Sequence, residues 1–207
     1  MSVPIGAETL PSAGTSRMSQ LDVLTTLHER RGARDVVITT MTPARDWMTL
    51  APHPLDLVFV PSAMGHATSI GLGLALAQPE RRVIVCNGDG SMLMNLGSLA
   101  SIAESGAANL VVLVFVNGVY EVTGSQRVPA VASHGVDFAA IARGCGIRST
   151  FTFSNIDEWR RDAAAVLGAA GPTVVHLAVA GVPGKPGPRS PGPAGERAHR
   201  FMDALAR

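Results

Sequence analysis

Residues 82–121 read RVIVCNGDGSMLMNLGSLASIAESGAANLVVLVFVNGVYE, and their order decides the fold. A short apolar run at 82–86 (RVIVC) ends in Asn87-Gly88-Asp89-Gly90. A helical pattern follows from about Leu93 to Glu104. Residues 110–116, LVVLVFV, then form the clearest central strand of the chain, closed by Asn117-Gly118-Val119. Strands that are apolar throughout and joined by a helix belong to a parallel sheet buried on both faces.

The flanking sequence repeats this alternation. Upstream, Ser19 and Asp22 form a capping box before Leu21, Leu24 and Leu27, with Gly32 as the stop. A strand at 36–40 (VVITT), a loop rich in proline and charge, a strand at 57–60 and a helix at 66–77 (HATSIGLGLALA, closed by Pro79) follow. The glycines of that helix lower its propensity but let it press against a sheet. Downstream come a helix near 137–144, a strand at 149–153, a helix at 156–169 and a strand at 173–179. The expectation is one α/β domain over residues 19–180, with a mainly parallel sheet and helices on both faces.

Residues 1–18 read as a flexible leader. From 181 onward, Pro183, Pro186, Pro188, Pro191 and Pro193 make an extended arm. A helix at 196–206 then presents Phe201, Met202 and Leu205, as if to dock on a neighbouring domain or subunit.

Composition narrows the function. A chain of 207 residues with 46% hydrophobic and 16% charged residues can bury a real core. Its formal charge of +1 offers no field to gather nucleic acid, and 4% aromatic residues offer little stacking surface. Cys86 and Cys145 read as reduced, buried thiols. The apolar runs are too short to cross a bilayer, and no signal pattern opens the chain, so a cytoplasmic protein is expected.

Ligands of open α/β sheets bind beyond the carboxyl ends of the strands. Here those ends carry Gly88-Asp89-Gly90-Ser91 and Asn117-Gly118-Val119. The flanking glycines admit a phosphate and leave the Asp89 carboxylate pointing outward. Asp89 and Asn117 supply two hard oxygens to one octahedral Mg²⁺, with a backbone carbonyl and phosphate oxygens completing the shell. The helix expected from Leu93 aims its positive end at the same point. Gly-Asp-Gly alone is an ordinary turn, and an Asn after a strand is equally ordinary. Their combination across one strand-to-strand crossover is what points to a metal-diphosphate site.

That combination resembles the metal-binding motif of thiamine-diphosphate enzymes. Asn117 matches the motif's liganding asparagine, Val116 stands where the family usually has another asparagine, and Val119 matches the residue whose carbonyl meets the metal. Ser62-Ala63-Met64-Gly65 resembles the segment beneath the cofactor. By this resemblance Met64 is the wedge that holds the cofactor bent, and the Ser62 carbonyl meets its aminopyrimidine. MGHATSIGLGLALAQPERRVIVCNGDGSMLMNLGSLASIAE, FVNGVYEVTGSQ and the ending with Lys185-Pro186-Gly187 and Arg200-Phe201-Met202 together resemble the phosphonopyruvate and sulfopyruvate decarboxylases.

One stretch departs from that family. Residues 39–46, TTMTPARD, stand where relatives carry Thr-Thr-Gly, a variable residue, then Thr-Ser-Arg-Glu. Arg45 is a candidate cation for an acidic substrate head, or simply a partner of Asp46. His66, Tyr120, Glu121 and Gln126 are further candidates near the site, with packing roles equally open to them.

The resemblance implies thiamine diphosphate and Mg²⁺ as cofactors. Gly88, Asp89, Gly90, Ser91, Asn117, Val119, Ser62 and Met64 would serve as the cofactor-binding set. It also implies a catalytic glutamate on a separate pyrimidine-binding domain, for which this chain has no room. Either a partner subunit supplies that domain, in an assembly of two copies of each chain, or the sequence is a fragment. A small subunit of a heteromeric 2-oxo acid decarboxylase is the leading expectation. A carboligase subunit of the acetolactate-synthase kind and a non-catalytic cofactor-binding subunit are the alternatives.

Overall fold

A computed structural model describes residues 17–129, 135–182 and 184–207. Most of the expected leader, His134 and Pro183 lie outside the described residues. The first elements are α1 (Gln20–Arg30), β1 (Val36–Thr39), α2 (Met41–Trp47), β2 (Asp56–Val58), α3 (Ala67–Ala77) and β3 (Val83–Gly88). Next come α4 (Asp89–Leu93), α5 (Ser98–Ser105), β4 (Leu110–Val116), β5 (Val119–Tyr120) and β6 (Gln126–Arg127). The chain ends with α6 (Phe138–Gly144), β7 (Ser149–Phe153), α7 (Ile156–Leu167), β8 (Thr173–Ala178) and α8 (Ala194–Leu205).

Six strands form one sheet in the order β2-β1-β3-β4-β8-β7, and every pair is parallel. The alternation of strand side chains divides the core in two. Val83, Val85, Val112 and Val114 face one layer, with Ala67, Met92, Ile102, Phe138 and Phe201. Ile84, Cys86, Val111, Leu113 and Phe115 face the other, with Leu24, Leu27, Trp47 and Trp159. All of β4 is buried, as a strand covered on both faces requires. A glycine lets α3 lie tight on the sheet: a Cβ at Gly71 would sit 2.3 Å from Val85 Cγ2. The other glycine of that helix, Gly73, has open space instead.

Several sequence expectations need correction. The stretch after β1 is not a loop but the helix α2, because Pro43 falls in its first turn, where its missing N–H costs nothing. The helix expected from Leu93 begins at Asp89 and is broken in two. Between the halves, Asn95 donates from Nδ2 to the Gly65 carbonyl at 2.9 Å, a tertiary contact that a continuous helix would forgo. The last helix starts at Ala194 rather than Glu196. The end of the expected leader belongs to the domain: Met18 bridges to Val179 and is buried. Ser19 caps α1 as expected, accepting from the Asp22 amide. Both cysteines are free; burial is complete for Cys86, which pushes its thiol pKa far up, and partial for Cys145. No helix among the described residues is long and apolar enough to cross a membrane.

Candidate functional site

β3 and β4 are neighbours in register, with Gly88 opposite Phe115, so their carboxyl ends bring residues 88–91 beside residues 117–119. Asp89 opens α4 and is only 3% exposed. Its Oδ1 accepts from the Gly90 amide at 2.8 Å and its Oδ2 from the Gly118 amide at 2.7 Å. Burial raises its pKa to about 6, and the hydrogen bonds from Gly118, Gly90 and Asn117 oppose that rise. No salt bridge to Asp89 occurs among the described residues. A carboxylate taken out of water without a counter-charge is costly, so the site favours a cation beside it.

Asn117 is also buried. Its Oδ1 accepts from the Val119 amide at 2.9 Å, which folds the loop back on itself and leaves that oxygen a second lone pair. Its own carbonyl accepts from Arg17 at 2.9 Å. Tyr120 packs on the turn so closely that a Cβ at Gly90 would sit 2.3 Å from its ring. Only glycine fits there, and the second glycine of Gly-Asp-Gly has a packing reason.

Met64, Gly88, Asp89, Gly90, Ser91, Asn117 and Val119 line one recess. Met41, Thr42 and residues 120–123 complete its wall. Ser91 accepts from the Gly65 amide at 2.9 Å, and with Asn95 it fixes the segment behind the half-buried Met64. The recess holds only about 30 Å³, room for little more than ordered water. A carboxylate, an amide oxygen and a nearby backbone carbonyl are hard donors, the set that Mg²⁺ takes. The residues present therefore fit the metal and a diphosphate held through it.

Other candidates stand apart from the recess. Ser62 does not line it. His66 is exposed and bonds the Met64 carbonyl through Nδ1 at 3.2 Å, a role within its own turn. Gln126 is exposed and donates to Thr123 in the same ribbon. Arg45 does not line the recess either: its Nε donates to Asp46 at 2.9 Å, the plainer of its two readings. Sequence reasoning named Met41 and Thr42 only as part of the departing stretch 39–46, and it missed Arg17, Val122 and Thr123. Met41 adopts a left-handed φ of +54°, the conformation that favours glycine.

Residues 38–177 match the family described as thiamine pyrophosphate enzyme, C-terminal TPP binding domain. The chain belongs to that family. Among its relatives, a phosphonopyruvate decarboxylase of Streptomyces hygroscopicus is 41% identical over 84% of this chain and 42% of its own length. A sulfopyruvate decarboxylase subunit beta of Methanothermobacter thermautotrophicus is 39% identical over 70% of each chain. The corresponding subunit of Methanocaldococcus jannaschii is 32% identical over 69% of this chain and 74% of its own. The chain thus spans less than half of the Streptomyces decarboxylase but most of each beta subunit. A solved structure assigned to the thiamin diphosphate-dependent enzymes, from Mycobacterium smegmatis, shares the fold. It superposes with a TM-score of 0.69 and 24% identity, over 81% of this chain and 33% of that one.

Proposed function

We propose that this chain is the diphosphate-binding half of a thiamine-diphosphate-dependent 2-oxo acid decarboxylase, completed by a pyrimidine-binding partner chain. The observation that carries the reading is Asp89: a buried carboxylate with no basic partner among the described residues, at the adjoining ends of β3 and β4, beside Asn117. Asp89, Asn117 and the Val119 carbonyl would hold Mg²⁺, and the metal would hold the diphosphate. Thiamine diphosphate, when bound, supplies the carbanion equivalent and electron sink that 2-oxo acid decarboxylation needs. The work of this chain is positioning. Ser91 and Asn95 lock Gly65, which fixes Met64 under the recess, and Tyr120 closes the turn at Gly90.

Two lines support a partner. The recess is one shallow wall, and relatives that this chain spans for most of their length are named as beta subunits. The substrate class we propose is a three-carbon oxo acid with a terminal phosphonate or sulfonate. Arg45 is the candidate cation of this chain for that terminal anion; in this structure it donates to Asp46 and to the Pro186 carbonyl.

The test is CO₂ release by the chain alone and by the reconstituted pair, with phosphonopyruvate, sulfopyruvate, pyruvate and a bulkier oxo acid. The pair should act on the two anionic acids, and the chain alone on none. Turnover by the rigorously purified chain would remove the partner. A preference for pyruvate, with acetolactate as product, would replace decarboxylation by carboligation.

A further inference from the structure

Beside the recess, Glu121 and Arg45 form a buried charged pair that the proposed metal site does not use. Glu121 opens the 3-10 turn Glu121–Thr123, two residues after Val119, and its side chain is 3% exposed. Its Oε1 accepts from the Val182 amide at 2.5 Å. Its Oε2 is buried with no hydrogen-bond donor, and the Arg45 guanidinium stands 3.8 Å away. Arg45, on α2 and itself 15% exposed, donates from Nη1 to the Pro186 carbonyl at 3.3 Å. Three segments far apart in sequence therefore meet at one charge pair: the loop after β4, the arm after β8, and α2.

The backbones meet there too. A Cβ at Gly187 would sit 3.0 Å from Val122 Cγ1, and one at Gly181 would sit 3.3 Å from Val119 Cγ2. At its start the loop is anchored by the Gly118 amide on Asp89 and by the Val119 amide on Asn117; beyond Tyr120 it has less to hold it. It is a ribbon of two two-residue strands, β5 and β6, and an isolated two-stranded ribbon is marginal in water. The contact of Glu121 with the arm adds a tie at the far side of that ribbon, and a carboxylate buried on the loop has to be matched by donors, of which the Val182 amide is one.

We propose that Glu121, backed by Arg45, is a positioning residue that ties the loop carrying Val119 and Tyr120 to the arm at Val182 and Pro186. The arm thereby sets the place of the metal-facing carbonyl. This rests on the reading of Asp89, Asn117 and Val119 as the metal site.

The experiment pairs amide hydrogen exchange on the full, cofactor-free chain with calorimetric titration of thiamine diphosphate in Mg²⁺. The variants are Glu121→Ala, Glu121→Gln, Arg45→Met and Asp89→Ala. Glu121→Ala should speed exchange at 119–127 and 181–187 while the amides of β3 and β4 stay protected. It should also weaken cofactor binding about tenfold, the loss expected when a partner of a metal ligand is removed. Glu121→Gln keeps an acceptor for the Val182 amide and loses the charge, so it should fall between wild type and Glu121→Ala, as should Arg45→Met. Unchanged affinity in Glu121→Ala overturns the proposal, whether or not the loop loosens. So does a loss of affinity accompanied by faster exchange across the whole sheet, which marks a merely structural role. If Glu121→Ala does not fold, Glu121→Gln and Arg45→Met decide by the same criteria. Failure of the metal reading shows separately, as intact cofactor binding in Asp89→Ala, and it overturns the positioning role as well.

Discussion

The two ends of the central sheet treat their polar groups in opposite ways. At the amino end nearly everything is matched. Arg82 donates to Asp35, through Nε at 3.0 Å and again through Nη2, and Arg31 pairs with Asp56. Asn109, just before β4, spends Nδ2 on the carbonyls of Ala75, Gln78 and Arg81. At the carboxyl end Asp89 is buried without a cation among the described residues. Thr39 Oγ1, Thr40 Oγ1, Asn87 Oδ1 and Glu121 Oε2 are buried without hydrogen-bond partners among the described residues. Arg31 Nε is the exception at the amino end among the described residues. Buried polar groups are normally satisfied, so this cluster of exceptions, with His176 Nδ1 a further one within β8, supports the proposed ligand site at that end.

The comparison can be broken first at its satisfied end. Arg82→Met leaves Asp35 buried with one fewer cation and should cost about 1–3 kcal/mol, discounted from a fully buried pair because the guanidinium is a quarter exposed. A urea melt measures this, and cofactor affinity should not change. A loss of affinity with Arg82→Met would mean that the two ends are not separate in function.

A smaller effect concerns pH. His176, on β8 opposite Val114 and tilted against the Phe138 ring, has Nδ1 buried without a partner. Burial lowers its pKa from 6.5, with Asp137 opposing and Arg17 assisting. The unfolded chain then binds the proton more readily than the folded one. This contribution is fully present above pH 6.5 and is lost as the pH falls through the lower folded value. His176→Phe should make the melting temperature less sensitive to acid below that point. An identical acid profile in the variant would show that the ring finds its proton partner without unfolding.

What the sequence made legible follows the same division. The bounds of β4 match its apolar run, because burial on both faces writes itself into consecutive residues, whereas β7, a half-buried edge strand, was legible from its alternation of threonine and phenylalanine. Asp89 and Asn117 were legible because strand ends are where glycine and polar residues interrupt such runs. The α2 helix was not, since Pro43 and the two threonines hide a first turn that the packing of Trp47 completes. The break between α4 and α5 was hidden too: residues 93–104 keep a helical apolar pattern, and only the reach of Asn95 to Gly65 explains the interruption. The contacts of Arg17 with Asn117 and of Glu121 with Val182 join segments remote in sequence, and no local pattern announces such pairs. Met41 lies between these cases. The resemblance implied a glycine at this position, and the structure adds that the backbone has a left-handed φ of +54°, which glycine would adopt without strain.

The central claim is that the unmatched carboxyl end exists to hold a diphosphate through a metal. Calorimetric titration of the purified chain with thiamine diphosphate, with Mg²⁺ and then with a chelator, tests it most directly in wild type and Asp89→Ala. The account predicts binding by wild type only when the metal is present, and none by Asp89→Ala under either condition. Titrations of the two proteins that superimpose, or wild-type binding that survives the chelator, would contradict it.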